Sequence, residues 1–527
     1  MIGYAALLSW PVLAMAIFAK RPLAVAVAGA IVAGYLLLPT KVNIDFPLLP
    51  AIDKNSMAAL AGLLAGWAVI RSRPKEAAAN AHLRPMGLLP GTKLARLCLI
   101  LLIVGAFMTV LTNGDALVYG YRRLPGLQPY DAFSYVLTTF VQMLPFFLAR
   151  KYLADPESHR QLLVVLCIAG VIYALPALYE IRMSPRLNSK IYGFFPHNWR
   201  QHIRNDGFRP LVFLSHGLLL GLFLSTAFLA ALALLREQRA TQGRRHAGLI
   251  VLAAVFILGT LFLSKTLGAF LIAAVLGPAI FLVSPRGQVL LAAAVISIIL
   301  AYPMLRGAGV IPVERAVSLA AKVDQDRAHS LRFRLINEDR LLAKANQKPL
   351  FGWGPRGRMR VFDEEGNDLS VTDGRWIIAI GMGGWIRYLA EFGIMSIAVL
   401  GLAWQGRKYG LTYATSGLSL MLAGNLIDLI PNDGLTPITW LMAGALMGRL
   451  ELQTIPLLSG ASEVSSRRRG TQGYSRPVRA PAAPEDTTPE PALSADPAQT
   501  ALSQRPARQT PYARHVARAR NQGKAPT

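Results

Sequence analysis

The sequence predicts an all-α polytopic integral membrane protein with about 13 transmembrane helices, and its composition is the first reason. Hydrophobic residues make up 53% of the 527 residues and charged residues only 16%, and the apolar residues occur in blocks of membrane-spanning length. This distribution excludes an ordinary soluble enzyme. The only two cysteines, Cys98 and Cys167, lie inside apolar blocks, so the chain offers neither a disulfide framework nor a cysteine-based metal cluster.

A transmembrane helix needs roughly 15 to 25 apolar residues, and this criterion gives the individual spans. The first span begins at the N-terminus, where residues 1–19 lack a basic start, so we expect a membrane helix and not a cleaved signal peptide. The predicted spans are 4–19, 22–39, 54–70, 94–112, 131–149, 161–180, 211–235, 247–263, 267–283, 287–305, 376–404, 411–430 and 434–450.

Basic residues in the short loops predict the orientation, because Lys and Arg are enriched on the cytoplasmic side of membrane proteins. They fall in alternate loops, so the N-terminus is expected outside, and loops 181–210 and 306–375 should face the exterior, which is the periplasm in a bacterium. This distribution accounts for much of the net charge of +26 and argues against nucleic-acid binding. The residues that mark the cytoplasmic loops are Lys20, Arg21, Arg71, Arg73, Lys75, Arg150, Lys151, Arg236, Arg239, Arg244, Arg245, Arg286, Arg407 and Lys408.

These boundaries divide the chain into four parts. Residues 1–305 form an N-terminal transmembrane bundle that includes the basic exterior loop 181–210. Residues 306–375 form a large periplasmic loop, and residues 376–450 form the C-terminal transmembrane helices. Residues 451–527 are rich in Ala, Pro, Arg, Ser, Thr and Gln without an apolar period, which predicts a disordered basic cytoplasmic tail.

The large exterior loop should contain an amphipathic helix that lies against the bundle. Leu331, Leu335 and Leu342 recur at helical spacing, and Pro349 should end the helix. The Gly-Trp-Gly turn at 352–354 is expected to hold its indole ring at the lipid–water boundary. The charges expected to pair with one another along this helix are Arg332, Arg334, Glu338, Asp339 and Arg340.

The basic loop 181–210, which precedes the span expected to start at Leu211, indicates a binding site for an anion. Six basic residues and two histidines face a single acid, and guanidinium groups match the geometry of phosphate oxygens, so a phosphate or diphosphate is the simplest ligand. A solvated loop is the alternative. Arg209 stands directly before the span, and His216, about two turns inside it, is open to either a packing or a catalytic role. The residues of this loop are Arg182, Arg186, Lys190, His197, Arg200, His202, Arg204, Asp206 and Arg209.

Four further residues could contribute to a site at the exterior face. Lys265, in a very short connection between two spans, either snorkels or adds charge to the anion site. Asp373 either accepts a proton from a sugar hydroxyl at the mouth of a cavity or caps the helix that follows. Arg387 and Glu391, four residues apart, should pair on one helix face, with a structural role and a cavity-facing role both open.

At these residues the chain resembles the O-antigen ligase and polymerase family of bacterial envelope proteins, over roughly residues 90 to 450. Two departures are notable. The family hairpin carries an arginine where this chain has Leu267, so its role would fall to Lys265, and the ligase His-Asn pair corresponds to Asp373–Gly374 or, in another alignment, Met382–Gly383. The segments that carry the resemblance are the arginine motif at Arg209–Gly217, the hairpin at Leu263–Ala269, the Arg334 helix with its Pro349–Gly354 turn, and Glu391–Gly393.

The resemblance implies a GT-C-like glycosyltransferase of the bacterial inner membrane. It would polymerise or ligate undecaprenyl-diphosphate-linked saccharides at the periplasmic face in O-antigen or exopolysaccharide biosynthesis, with a glycan acceptor, membrane lipid and polysaccharide assembly proteins as partners. A transporter or flippase of lipid-linked or anionic saccharides is the alternative, and a non-catalytic assembly subunit is a third possibility.

If the resemblance holds, Arg209 and Arg334 would neutralise the leaving diphosphate, and Asp373 would be the base. We predict no cofactor and metal independence, because no acidic cluster suited to Mg²⁺ or Mn²⁺ stands out on the exterior side. The residues expected to bind substrate are Arg204, His216, Lys265, Arg387 and Glu391.

Overall fold

The computed structural model describes most of the chain up to residue 454, and in that part the chain is mostly helical. A helix lies at each of the thirteen predicted spans, although the seventh begins later than expected. The predicted tail, 451–527, falls outside the described residues from residue 455 onward. The described ranges are 1–46, 50–72, 84–85, 87–204, 207–241, 247–323, 325–406 and 410–454.

Seven of the described helices are long and apolar enough to cross a membrane, and three shorter apolar helices accompany them. The chain is therefore a helical protein with several membrane-spanning helices, whereas the number thirteen and the GT-C-like arrangement stay predictions. Both cysteines are free and buried, as expected from their positions in apolar blocks.

The described residues of the first half contain eight α-helices, one 3-10 turn at Trp199–His202, and two short hairpins that the all-α prediction did not include. One hairpin joins β1 to β2 and the other joins β3 to β4, both antiparallel. The elements are α1 (Ile2–Lys20), α2 (Leu23–Leu37), α3 (Lys54–Ser72), α4 (Lys93–Leu111), β1 (Leu117–Tyr119), β2 (Arg122–Leu124), α5 (Pro129–Gln142), α6 (Leu144–Tyr152), α7 (Pro156–Met183), α8 (Leu187–Tyr192), β3 (Ile203–Arg204) and β4 (Gly207–Phe208).

The second half is helical throughout its described secondary structure. The elements are α9 (Gly217–Thr241), α10 (Ala247–Leu263), α11 (Leu267–Leu282), α12 (Pro285–Gly307), α13 (Val313–Val323), α14 (Gln325–Ala345), α15 (Arg375–Gln405), α16 (Tyr413–Asp428) and α17 (Pro437–Thr454).

The centre of the bundle is α9, whose most apolar window is 83% buried. It packs against α7, α10, α11 and α16, so it contacts protein on most of its circumference. A helix that is apolar on all faces is stable in such a position because no face has to meet water. Its N-terminal end consequently supports whatever loop precedes it.

The prediction that this span starts at Leu211 was wrong, because the helix begins at Gly217. Val212 adopts a positive φ of 55°, which a β-branched residue rarely accepts, so the chain turns here and cannot be helical. The turn is held by Glu180, a fully buried carboxylate whose Oε2 accepts hydrogen bonds from the amides of Leu211 and Val212 at 2.9 and 2.7 Å. Glu180 thereby fixes where the basic loop enters the bundle.

Helix α15 is broken at Gly384, which has φ 68° and ψ −171°. Arg375 and Glu391, both in α15, nevertheless form an ion pair of 2.5 Å. A straight helix would advance about 24 Å over the 16 residues between them, too far for these two side chains to bridge. The two halves of α15 must therefore fold back on one another at the break.

The turn after Pro349 fills this break. Its backbone bonds with the interrupted helix in both directions, from the amide of Trp385 to the Pro349 carbonyl at 2.8 Å and from the amide of Trp353 to the Gly381 carbonyl at 2.8 Å. Backbone groups freed by a broken helix need such partners at membrane depth. Trp353 is itself buried, and its Nε1 donates to the Lys344 carbonyl, so the prediction of a ring at the lipid–water boundary was wrong.

A helix is present where the amphipathic helix of segment 306–375 was predicted: it is α14, which ends at Ala345, four residues before the expected stop. The predicted pairing of its charges along the helix was wrong. Glu338 and Asp339 instead meet Arg306 at the end of α12, at 3.8 and 2.7 Å. Arg334 is thus left to make contacts outside its own helix.

Candidate functional site

The described part of the basic loop folds back over the start of α9 and places Arg209 in a buried position. The Arg209 amide donates to the His202 carbonyl at 2.8 Å, next to the β3–β4 hairpin. The Arg209 side chain is 9% exposed, and its guanidinium donates to the Lys265 carbonyl at 3.4 Å. Arg209 and Lys265, two predicted site residues, therefore lie together. The side chain of Arg204, a third, is outside the described atoms.

Gly217 allows this arrangement, since a side chain there would collide with the Arg209 stem. A Cβ built on Gly217 would lie 2.5 Å from Arg209 Cγ. Lys265 itself adopts a positive φ of 57°, which sharpens the connection between α10 and α11. The predicted hairpin is thus a strained turn whose backbone oxygen faces the arginine.

Three histidines meet at the same place. His197 and His202 come from the basic loop and His216 from the residue before α9, and their ligating nitrogens all lie within 4.8 Å of one another. His216 is therefore not inside a helix, as the sequence suggested, but at its start, where its Nδ1 accepts a hydrogen bond from the Leu218 amide at 2.9 Å. From the sequence, His197 and His202 are recognisable only as members of a basic loop.

Electrostatics connect this cluster to the second predicted arginine. Burial, followed by the nearby His197, His202, Arg209 and Arg334, lowers the pKa of His216 to about 3, so the ring is neutral at physiological pH. Arg209 and Arg334, which are separated by 125 residues in the sequence, thus act on the same imidazole. Of the predicted set, the structure therefore places Arg209 in contact with Lys265, and Arg209 and Arg334 within electrostatic reach of His216.

Asp373 lies beside Arg334, with 3.5 Å between Oδ2 and the guanidinium Nε. The alternative role as a helix cap is wrong, because the N-cap of α15 is Gly374. The Arg334 side chain also reaches the Pro431 carbonyl and Asn432 Oδ1, both at 3.4 Å. Arg334 consequently links segment 306–375 to the loop that follows α16.

A further carboxylate, Asp428, belongs to this neighbourhood. It is 7% exposed, and its Oδ1 accepts from Asn432 Nδ2 at 2.9 Å. The sequence does contain a signal for it, because the segment from Asn425 to Gly434 places polar residues at the end of an otherwise apolar span. The predicted set of site residues nevertheless lacks Asp428.

Lys54, at the start of α3, is also absent from the predicted set. Its Nζ donates to the Phe213 carbonyl at 3.0 Å and lies 5.3 Å from the ring centroid of Tyr35. The residue is 5% exposed, so its amine is buried against the segment between Arg209 and His216. A lysine at the edge of a predicted span resembles an ordinary topological marker, so its position in the sequence gives no sign of this role.

The predicted pair of Arg387 and Glu391 is confirmed at 3.3 Å and is part of a larger buried group. Arg375 shares the same carboxylate at 2.5 Å, and it also reaches Asp433 at 3.3 Å. The Arg387 guanidinium lies 4.4 Å from the ring centroid of Tyr135, whose buried hydroxyl has no hydrogen-bond partner among the described residues.

The loop after α16 contacts both the Arg334–Asp373 pair and the group of Arg375, Arg387 and Glu391. The Arg375 amide donates to the carbonyls of Leu429 and Asn432 at 2.9 and 3.2 Å, while the side chain of Asn432 contacts Arg334. One short loop therefore supports both the Arg334–Asp373 pair and the Arg375–Glu391 pair. The arrangement combines several cations, suited to an anion, with carboxylates that can accept a proton.

Comparison with protein-family models, with curated proteins and with solved structures finds no match to this chain. The resemblance to O-antigen ligases and polymerases therefore rests on its sequence motifs alone.

Proposed function

We propose that this protein is a membrane glycosyltransferase that polymerises or ligates undecaprenyl-diphosphate-linked saccharides at the periplasmic face of the bacterial inner membrane. The observation that carries the proposal is that Arg209 and Arg334, from distant segments, both act electrostatically on His216. Arg209 also contacts the Lys265 carbonyl, and Arg334 pairs with Asp373. Arg209 is buried, whereas Arg334 is partly exposed and Lys265 is exposed. Guanidinium and ammonium groups of this kind suit a diphosphate, which offers two phosphoryl groups to their donors.

In the proposed reaction an acceptor hydroxyl attacks the anomeric carbon of the donor sugar, and the bond from that carbon to the diphosphate breaks. Arg209 and Arg334 stabilise the negative charge that grows on the departing diphosphate, with Lys265 adding to the field. His216, neutral and held at the start of α9, donates to a phosphate oxygen through Nε2, because its Nδ1 accepts from Leu218.

Asp373 is the proposed base for the acceptor hydroxyl. Its side chain is 37% exposed, so a hydroxyl from solution can reach it, and its contact with Arg334 sets it beside the diphosphate cations. Asp428 is more deeply buried and bonded to Asn432, which suits it to positioning the loop after α16. Arg387 and Glu391, with Arg375, would bind sugar hydroxyls through the polar atoms of their buried group.

A transporter of lipid-linked saccharides is the second candidate, because α15 is a discontinuous helix, as in many transporters. In those proteins the freed backbone groups receive the substrate. Here the chain's own turn after Pro349 occupies the break, which leaves less reason for substrate to pass through it. We therefore favour the enzyme.

The test is the surface glycan of cells that carry Arg334→Ala or Asp373→Ala at matched membrane abundance, together with the lipid-linked saccharides that accumulate. We expect long chains to disappear, with a rate loss of about 10²–10³-fold for the arginine, and donor to accumulate on the periplasmic side. Arg332→Ala is the matched control, since Arg332 lies on the same helix with its side chain 61% exposed.

Two results would overturn the proposal. Donor that accumulates on the cytoplasmic side would identify a flippase, and an unchanged ladder in both variants would make the residues structural. Arg209→Lys separates the enzyme from a non-catalytic assembly subunit, because a bidentate diphosphate contact is lost on this change whereas general attraction to polysaccharide is not.

A further inference from the structure

The three histidines of the site have the geometry of an incomplete metal-ligand set. Tetrahedral Zn²⁺ binds imidazole nitrogens at 2.0–2.1 Å, which places any two of them about 3.3 Å apart. The ligating atoms of His197, His202 and His216 are separated by at most 4.8 Å. For a triangle of that size, each nitrogen has to move inward by about 0.8 Å at most, which side-chain rotation can supply.

The surroundings orient two of the rings. Nδ1 of His202 lies 3.1 Å from the Arg209 carbonyl, the outer hydrogen bond that metal-binding histidines commonly make to a backbone oxygen. That bond assigns the proton to Nδ1 and leaves Nε2 as the ligand atom. Nδ1 of His197 is buried without a hydrogen-bond partner among the described residues, an arrangement that a bound cation would satisfy.

Two features oppose a metal and limit its affinity. His216 Nδ1 accepts from the Leu218 amide, so its ring has to turn away and give up that bond in order to present a lone pair. Arg209 and Arg334, both close enough to influence His216, repel a dication. The metal should consequently bind weakly alone and more tightly when an anion neutralises the arginines.

We propose that His197, His202 and His216 form a three-histidine site for a divalent d-block cation of the Zn²⁺ class, with its fourth position available to water or to a phosphate oxygen. Imidazole ligands suit Zn²⁺, Co²⁺ and Ni²⁺ and disfavour Mg²⁺. This proposal departs from the predicted metal independence, which rests on the lack of an acidic cluster suited to Mg²⁺ or Mn²⁺ and does not consider the histidines. The proposal concerns binding alone, and its test needs no glycosyltransferase activity. The two proposals share His216, whose hydrogen bond from the Leu218 amide is kept in the proposed reaction and given up when a metal binds.

The test uses the purified full-length protein in detergent with Co²⁺, whose visible absorption reports tetrahedral coordination, and Zn²⁺ as competitor. We expect one tetrahedral Co²⁺ per chain, displaced by Zn²⁺, and an affinity that rises when inorganic pyrophosphate is added. His197→Ala should weaken binding by about 100-fold or more, since even an outer-shell change costs about 10–100-fold. His329→Ala is the matched control, because His329 lies on α14 with an exposed side chain.

A variant that binds Co²⁺ more tightly than the wild type cannot be explained by misfolding, so such a variant completes the test. Arg209→Ala removes a repulsive charge and leaves the backbone carbonyl that orients His202, so it should bind Co²⁺ more tightly than the wild type without pyrophosphate. Absence of a tetrahedral Co²⁺ spectrum in the wild type would overturn the proposal. So would equal affinities for His197→Ala and His329→Ala.

Discussion

The break in α15 gives the sharpest test of how this structure holds its charged groups. Gly384 has backbone angles that only glycine adopts readily, and a Cβ there would collide with the Leu350 carbonyl. Gly384→Ala therefore adds backbone strain of about 1–3 kcal/mol and also requires the turn after Pro349 to move.

Movement of that turn would break its two backbone hydrogen bonds with α15, from the Trp385 amide to Pro349 and from the Trp353 amide to Gly381. Each of these hydrogen bonds contributes about 0.5–1.5 kcal/mol to stability. Together with the strain, we expect Gly384→Ala to lower the free energy of unfolding by about 3 kcal/mol or more. The measurement is unfolding in mixed micelles, combined with hydrogen exchange of the Trp353 and Trp385 amides, which should lose protection.

Gly259→Ala in α10 is the control, since nothing lies within 4 Å of a Cβ at that position. Alanine favours helix over glycine, so the control should be neutral or slightly stabilising. If Gly384→Ala were as stable as Gly259→Ala and kept its amide protection, α15 would have to be an ordinary continuous helix, which the Arg375–Glu391 contact does not permit.

Two further predictions concern charges away from the break. Burial raises the pKa of Glu338 to about 7, from an ordinary value of 4.5, despite the nearby Arg306. Folding therefore favours the protonated carboxyl, and the stability that this group contributes below pH 4.5 should be lost as the pH rises through about 7. Glu338→Gln should flatten this pH dependence when unfolding is measured at several pH values. Glu451→Gln should destabilise by about 3 kcal/mol, because Arg150 is 1% exposed and its charge would remain buried, whereas Glu157→Gln, in an exposed pair, should change unfolding by less than about 1 kcal/mol.

The helices could be predicted from the sequence because their signal is local. A run of apolar residues has few alternatives to a helix in a membrane, and a helix exists at each predicted span. The pair of Arg387 and Glu391 was equally accessible, because four-residue spacing alone places both on one face. The start of the tail at residue 451 was not predictable in this way, because Glu451 continues α17 and contacts Arg150, 301 residues away.

The errors share a cause, which is that a distant residue decides the local conformation. Nothing in the sequence near Leu211 indicates that Glu180 accepts hydrogen bonds from the amides of Leu211 and Val212, so that α9 begins later than predicted. Similarly, Glu338 and Asp339 have suitable partners on their own helix, yet both meet Arg306. Short-range pairing rules describe isolated helices, and here tertiary contacts replace them.

This dependence on distant residues also explains the composition of the candidate site. Each arginine there is contacted by backbone oxygens of a distant segment: Arg209 by the carbonyl of Lys265, and Arg334 by the carbonyl of Pro431 in the loop after α16. The sequence indicates Asp373 because this residue stands directly before an apolar span. Asp428 lies at the end of a span and in no motif, so it was not predicted.

The loop after α16 contacts both arginines, Arg334 and Arg375, but Asn432 does so in two ways. Its side chain accepts from Arg334, whereas its backbone carbonyl accepts from the Arg375 amide, so Asn432→Ala should remove the first contact and keep the second. Coupling between the two arginines would then appear as a change at Arg375 caused by movement of the loop.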